Sequence, residues 1–331
     1  MASPPGPPSS PSSSFGASQV DEGLITDARK DILASWYLGV SKVLDEAVWR
    51  EVRPGEKKLF APESVEAADK EAERVALIES SQSRRDVGKH PASHWQPKIN
   101  EGLLVPVYLT FVAKISADGF WLMPDGNWRA TNKVVTQFSK VKLNCKLVRP
   151  PMALSSFANE WVDMWYNLEK ILATAAADQP PHARESVLSD VPEEWIKLRH
   201  VLFEKLEREA TVEELTALEN WPVNSNEATA ALKEMKNDKK FRVVPIPVYD
   251  KPGGKRIPPS RYVSDLKGAV VEVNMVLTYW DIPPSERKPR IQAFTADIHR
   301  MAVLVPPPKR PNKRVISEVD PGSPKKPRRA Y

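Results

Sequence analysis

The chain of 331 residues carries a single cysteine, Cys145, and only 13 glycines. One thiol excludes an intramolecular disulfide and any zinc centre built on two thiolates. No glycine-rich phosphate loop is present: "KPGGK" at 251–255 lacks the length and the trailing Ser/Thr that such a loop needs, and no dinucleotide fingerprint occurs. A G-x-S-x-G elbow is missing as well. "PDGNW" offers a Pro-Asp, but no following strand supplies the Glu-x-Lys of a metal nuclease. His90 and His94 stand at a zinc-like spacing beside Pro91, without a second pair of ligands. No run approaches ~18 apolar residues, so no membrane span is expected. The opening "MASPPGPPSSPSSSFG" has neither the basic start nor the apolar core of a secretory signal. These absences predict a non-catalytic, intracellular protein with no cofactor and no metal.

Proline is abundant, with 32 residues crowded toward the two ends, and the net charge of +5 hides a split. From 308 onward there are eight basic and two acidic residues, and from 236 to 307 thirteen basic and seven acidic. Residues 157–235 hold sixteen acidic against seven basic. A polyanion, if bound, is therefore expected in the C-terminal third.

Pattern divides the chain into six segments and predicts an α+β fold of alternating helical and antiparallel β blocks. Residues 1–18 are Ser/Pro-rich and offer little to bury, which predicts disorder. Segment 19–100 reads as helical: Leu24, Ile32, Leu33, Trp36, Val40 and Val48 recur at helical spacing, and a second helix should start at Pro62. Segment 101–151 switches to alternation in "LLVPVYLTFVAKI" and "VKLNCKLV", the second of which places Cys145 as a buried strand residue. Segment 152–235 returns to helical spacing in "SSFANEWVDMWYNLEKILATAA", in "VPEEWIKLRHVLFEKLERE", and in "TVEELTALENW" with its Thr-x-x-Glu capping signature. Segment 236–306 alternates again and is expected to form a basic, OB-like β module. Segment 307–331 is Pro-rich and basic, which predicts a disordered tail.

Two groups of residues carry the functional expectation. In 236–306, cations and rings share two loops: Tyr249, Lys251, Lys255, Arg256, Arg261 and Tyr262 in one, and Trp280, Arg287, Lys288 and Arg290 in the other. Single-strand binders need cations to track phosphates and flat rings on which bases stack. In the tail, Lys313-Arg314, a ten-residue gap, and Lys325-Lys326-Pro327-Arg328-Arg329 resemble a bipartite nuclear localisation signal. This points to the nucleus and to an import receptor as partner. Ser323 in "SPKK" resembles a proline-directed phosphorylation site, where added negative charge would oppose receptor binding.

The C-terminal pattern of a glycine, a strand, a polar loop, "FTADIHRMAVL" and a basic tail resembles nuclear-looking proteins expanded in mushroom-forming fungi, a likeness that implies no particular activity. The strand pattern also resembles phage-type single-stranded DNA-binding barrels, although their acidic tail is absent here. The leading expectation is non-catalytic binding of nucleic acid, either DNA or RNA, through the C-terminal module. The ten tryptophans support an alternative: a protein-interaction scaffold in which Trp161, Trp165, Trp195 and Trp221 on acidic helices hold a protein partner. A degenerate component of a mobile element is a third reading.

Overall fold

Alternation in two long segments organises the molecule. In β11 (Val270–Ile282), Val271, Val273, Met275, Leu277 and Tyr279 are buried, and β12 (Ile291–Val305) opposes them with Val303, Met301, Ile298, Ala296 and Phe294. The pair forms an antiparallel hairpin whose inner face is the centre of the core. Two register shifts interrupt it and leave His299 and Leu304 as the extra residues of β-bulges. The computed structural model describes residues 26, 29–30, 32–33, 35–40, 47–83, 104–175, 184–286 and 289–308.

Strands from three distant parts of the chain complete a ring around this hairpin. β4 (Leu109–Ile115) pairs antiparallel with β11 from Leu109↔Met275 to Lys114↔Val270. Its far end pairs with β5 (Lys142–Val148), and β5 pairs with β7 (Ile196–Val201) from Lys142↔Val201 to Leu147↔Ile196. β7 then meets β12 in parallel at Arg199↔Asp297. The order β4-β5-β7-β12-β11 returns to β4, so the strands close on themselves. Phe111, Ile115, Leu143, Leu147, Leu198 and Met275 fill the interior. A hairpin alone cannot bury its inner face. The expectation of an OB-like module contained within 236–306 is therefore corrected: its two long strands share one sheet with segments 101–151 and 152–235.

The sheet continues beyond the ring. β3 (Glu56–Phe60) adds to the far half of β11, and β2 (Val48–Arg53) adds to β3. Gly55 makes the turn between them at φ +77°, and its carbonyl accepts from Asp281 N–H at 2.7 Å. A Cβ there would stand 2.5 Å from the Asp281 carbonyl oxygen, which only glycine avoids. Short parallel additions are β1 (Trp36–Tyr37) on β4, and β6 (Arg184–Glu185) and β10 (Val248–Tyr249) on β12. β8 (Phe203–Lys205) and β9 (Phe241–Val243) form a separate pair.

Helix α1 (Pro62–Ser83) starts at the expected proline and covers Phe60 through Val65 and Ala68. Helix α2 (Ser155–Ala175) buries Phe157, Trp161, Trp165 and Leu168 in the main core. It ties outlying strands to the ring: Trp49 Nε1 donates to the Ile171 carbonyl at 3.0 Å and Asn167 Nδ2 to the Leu38 carbonyl at 2.8 Å. Helix α3 (Val212–Glu219) begins with the capping box read from the sequence, Thr211 and Glu214 bonding reciprocally. Helix α4 (Asn226–Asp238) follows it, and the short α5 (Tyr262–Leu266) precedes β11.

Two expected helical stretches are overturned, and Trp36 lies in the short strand β1 rather than on a helix. Segment 191–209 contains β7 and β8, with Ile196, Leu198 and His200 inward and Lys197, Arg199 and Val201 outward. The residues from Val48 onward are strand β2, whose partner "EKKLF" follows one glycine turn later. In both places a few apolar residues fit either period, and pairing with a distant strand decided the outcome. The tail residues Lys313, Arg314, Ser323, Lys325, Lys326, Arg328 and Arg329 lie outside the described residues, as do 1–25.

Candidate nucleic-acid interface

Because β5 and β7 bury every second residue, the residues between them share the outer face. On β5 these are Lys142, Asn144 and Lys146, and on β7 Lys197, Arg199 and Val201. Register places Asn144 beside Arg199 and Lys146 beside Lys197. Four cations thus stand on two adjacent strands, which lie ~4.8 Å apart. Among the described residues, Lys142, Lys146 and Lys197 form no ion pair, whereas Arg199 is held by Asp297 of β12 through Nε–Oδ1 and Nη2–Oδ2 contacts of 2.7 and 2.9 Å. Burial, and then the Arg199 charge, lower the Lys142 ammonium from its ordinary value, and Asp297 partly opposes this. Lys142 therefore feels both members of the Arg199–Asp297 pair.

Rings flank the cations. Lys146 Nζ lies 4.6 Å from the centroid of the half-buried Trp195 ring. Gly119, at φ +65°, lets the 116–121 segment pass over the Lys146 stem, where a Cβ would come within 3.0 Å of Cδ. Two residues on, Trp121 N–H donates to the Asn144 carbonyl at 2.8 Å and its ring stays 39% exposed. Further along this β4–β5 connection, hydrogen bonds hold the chain at Pro124 and Asp125. Trp221 Nε1 donates to the Pro124 carbonyl at 2.7 Å, and Asp125 accepts from Asn127 N–H at 3.0 Å.

The same outer face continues across the hairpin. Trp280 is half-buried on β11, and its Nε1 donates to Thr295 Oγ1 at 3.2 Å, two residues along β12 from Asp297. Lys58 on β3 lies opposite Thr278 and pairs with Glu56 at 3.3 Å. The cations of β5 and β7 and the ring of Trp280 are thus parts of one surface.

The residues singled out from sequence do not form one site. Trp280 and Arg290 lie at one end of the hairpin, and Tyr249, Lys255 and Arg256 at the other. Trp280 faces Ala293, whereas Tyr249 faces Ala302, a separation of roughly 30 Å along the strand. Tyr262 is a correction: it is fully buried, its hydroxyl reaches the Ile246 carbonyl at 3.4 Å, and burial pushes its pKa up to about 12. No base reaches it. Arg256 is spent on the Pro245 and Ile246 carbonyls at 2.5 and 3.3 Å. Arg261 pairs with Asp265 at 2.5 Å. Arg290 grips Asp281, whose carboxyl falls below the usual range through that hydrogen bond. Lys251 and Lys255 are exposed on the 249–256 turn, and Tyr249 lies under Arg300 at 5.3 Å. Arg287 and Lys288 lie outside the described residues.

The cations of β5 and β7 were missed, although the signal was present. "KLNCKLV" and "IKLRHV" alternate charge with apolar residues, but the second was read as a helix and so never set beside the first. Trp161, Trp165 and Trp221 are buried in the core, so none presents the open groove of the scaffold alternative; Trp195 lies just ahead of β7 and not on a helix. No helix among the described residues is long and apolar enough to cross a membrane. No family model matches the chain, and neither does any curated protein. Among solved structures the chain is similar to gp2.5, a single-stranded DNA binding protein encoded by bacteriophage T7, at 12% identity and a TM-score of 0.31, over 60% of this chain and 92% of that one. A likeness so distant decides nothing about this chain.

Proposed function

We propose that this protein binds single-stranded nucleic acid without catalysis, on the outer face of β5 and β7, and that it does so in the nucleus. The observation that carries the reading is the ladder of Lys142, Lys146, Lys197 and Arg199 beside the rings of Trp121 and Trp195. Cations spaced along a sheet track a phosphate backbone, and rings at its margin give bases a surface to stack on. The architecture supports the same reading. Counted along the chain, the ring runs first, second, third, fifth, fourth, with the third and fifth strands parallel and helices inserted between the third and fourth. That is the arrangement of an OB-type barrel, whose second and third strands and adjoining loops serve oligonucleotides or oligosaccharides. Four cations on that face favour the polyanion.

The test is a titration of the full chain with labelled single-stranded and duplex DNA and RNA across a salt series. We expect single strands to bind more tightly than duplex, with log K falling linearly against log salt. Binding that is absent, or that survives replacement of Lys142, Lys146 and Lys197 by Gln unchanged, overturns the reading. Nuclear address is assigned to Lys313-Arg314 and Lys325–Arg329 from their two-cluster layout. Residues 308–331 fused to a reporter too large to diffuse should enter the nucleus; cytoplasmic retention refutes that part alone.

A further inference from the structure

We propose that Asp297 acts as an internal competitor for phosphate at Arg199, and so sets the affinity of the face. The inference rests on the reading of that face as a phosphate track. Arg199 stands among Lys142, Lys197 and Asn144, in the middle of the cations. Its planar fork is nevertheless filled by the Asp297 carboxylate in a two-bond arrangement at 2.7 and 2.9 Å. A carboxylate presents two oxygens to that fork much as a phosphate does. The pair is not sealed in the core: the side chains are 20% and 31% exposed. Asp297 lies where the bound backbone would cross from β7 to β12, since its neighbours on the same face are Thr295 and Val276. In the free protein the most phosphate-suited cation of the face is therefore neutralised, and only three lysines count toward the backbone.

The alternative role is mechanical. Arg199↔Asp297 is the one register position joining β7 to β12, so the pair could simply brace the seam of the ring. The two roles give different results. Full-length variants are titrated with single-stranded oligothymidylate of ~16 nucleotides, within the range of one barrel's site. Asp297→Asn frees Arg199 for one more phosphate. The slope of log K against log salt should steepen by about 0.7, which is about five-fold tighter binding at ~0.1 M salt than in the parent. Arg199→Gln leaves a bare carboxylate in the path and should weaken binding. The double variant Arg199→Gln/Asp297→Asn removes both charges and should return to the parent's affinity and slope.

Should Asp297→Asn fail to fold, Arg199→Lys serves: it breaks the two-bond fork but keeps the charge, and its slope should steepen too. Asp297→Asn that folds but binds no tighter, or a double variant that differs from the parent, overturns the inference while the parent's own binding stands. A parent that binds no oligothymidylate at any salt concentration overturns both the inference and the reading beneath it.

Discussion

Replacing Lys142, Lys146 and Lys197 together by Gln sets the strand ladder against the loops singled out from sequence. Among the described residues these three are not engaged in ion pairs, so each is available to a phosphate. On a single strand each neutralised phosphate contributes about 0.7 to the slope of log K against log salt. Three of them account for a slope of about 2, and hence a loss of about a hundred-fold in affinity at ~0.1 M salt. The fold should hardly notice, because exposed substitutions of this kind usually stay within about 0.5 kcal/mol. Lys146 adds the loss of its contact with Trp195, worth about 0.5–1 kcal/mol at an exposed site. Fluorescence anisotropy over a salt series reads slope and affinity together, and a urea titration checks the fold. Lys251→Gln/Lys255→Gln is the matched control, since those cations sit at the far end of β12 on the 249–256 turn. The reasoning fails if the triple variant keeps the parent's slope, or if the loop pair alone accounts for the loss.

Other outcomes follow from packing and burial. Trp121→Ala should weaken single-strand binding by about 1–3 kcal/mol with the salt slope unchanged, because stacking is lost while the phosphate contacts remain. Trp165→Ala should cost about 3–5 kcal/mol in a denaturant titration, since the ring is 2% exposed inside the α2 core. Cys145 is fully buried and its thiol is pushed up to about 12, so a thiol reagent should label it only at the rate of unfolding. His200 is buried, with Nε2 2.7 Å from the Val244 carbonyl, and burial lowers its pKa in the folded protein. The unfolded chain therefore takes up the proton first. His200's contribution is intact above ~6.5 and is lost as pH falls below it, so His200→Gln should flatten the acid limb of a stability profile.

What could be read directly was whatever a single segment decides. Pro62 opened a helix, Thr211 and Glu214 capped one, and the alternation of Val271, Val273 and Met275 announced a strand before any partner was known. What could not be read was decided between segments. In "WIKLRHV" Ile196 and Leu198 fit alternation, but Leu198 and Val201 stand at helical i,i+3 spacing, so the stretch admits either period. Only pairing with β5, more than forty residues earlier, makes it a strand. The charge count misled for a related reason. Segment 157–235 is acidic overall, sixteen against seven, yet β7 within it places Lys197 and Arg199 on one side and its buried residues on the other. A face's charge depends on which side chains share it, which a running sum along the chain cannot express.

The same physics explains why the surface crosses so many segment boundaries. In a ring of short strands, neighbours in space come from distant stretches of sequence, and a polyanion track must run across strands rather than along one. Here it would pass from Lys142 and Lys146 on β5 to Lys197 and Arg199 on β7, over Thr295 on β12, to Trp280 on β11 and Lys58 on β3. Five strand spacings at ~4.8 Å separate six adjacent strands, so the five used here span ~19 Å. A stacked strand advances 3.4 Å per nucleotide, and that span therefore holds about five or six nucleotides. The Trp280 end lies on the part of the hairpin that β3 extends beyond the ring. Trp280→Ala should accordingly weaken binding to oligonucleotides of about six nucleotides or longer and leave those of about three, which reach no further than β12, unaffected. No loss at any length would mean that the strand does not cross the hairpin, and that the site ends at Arg199.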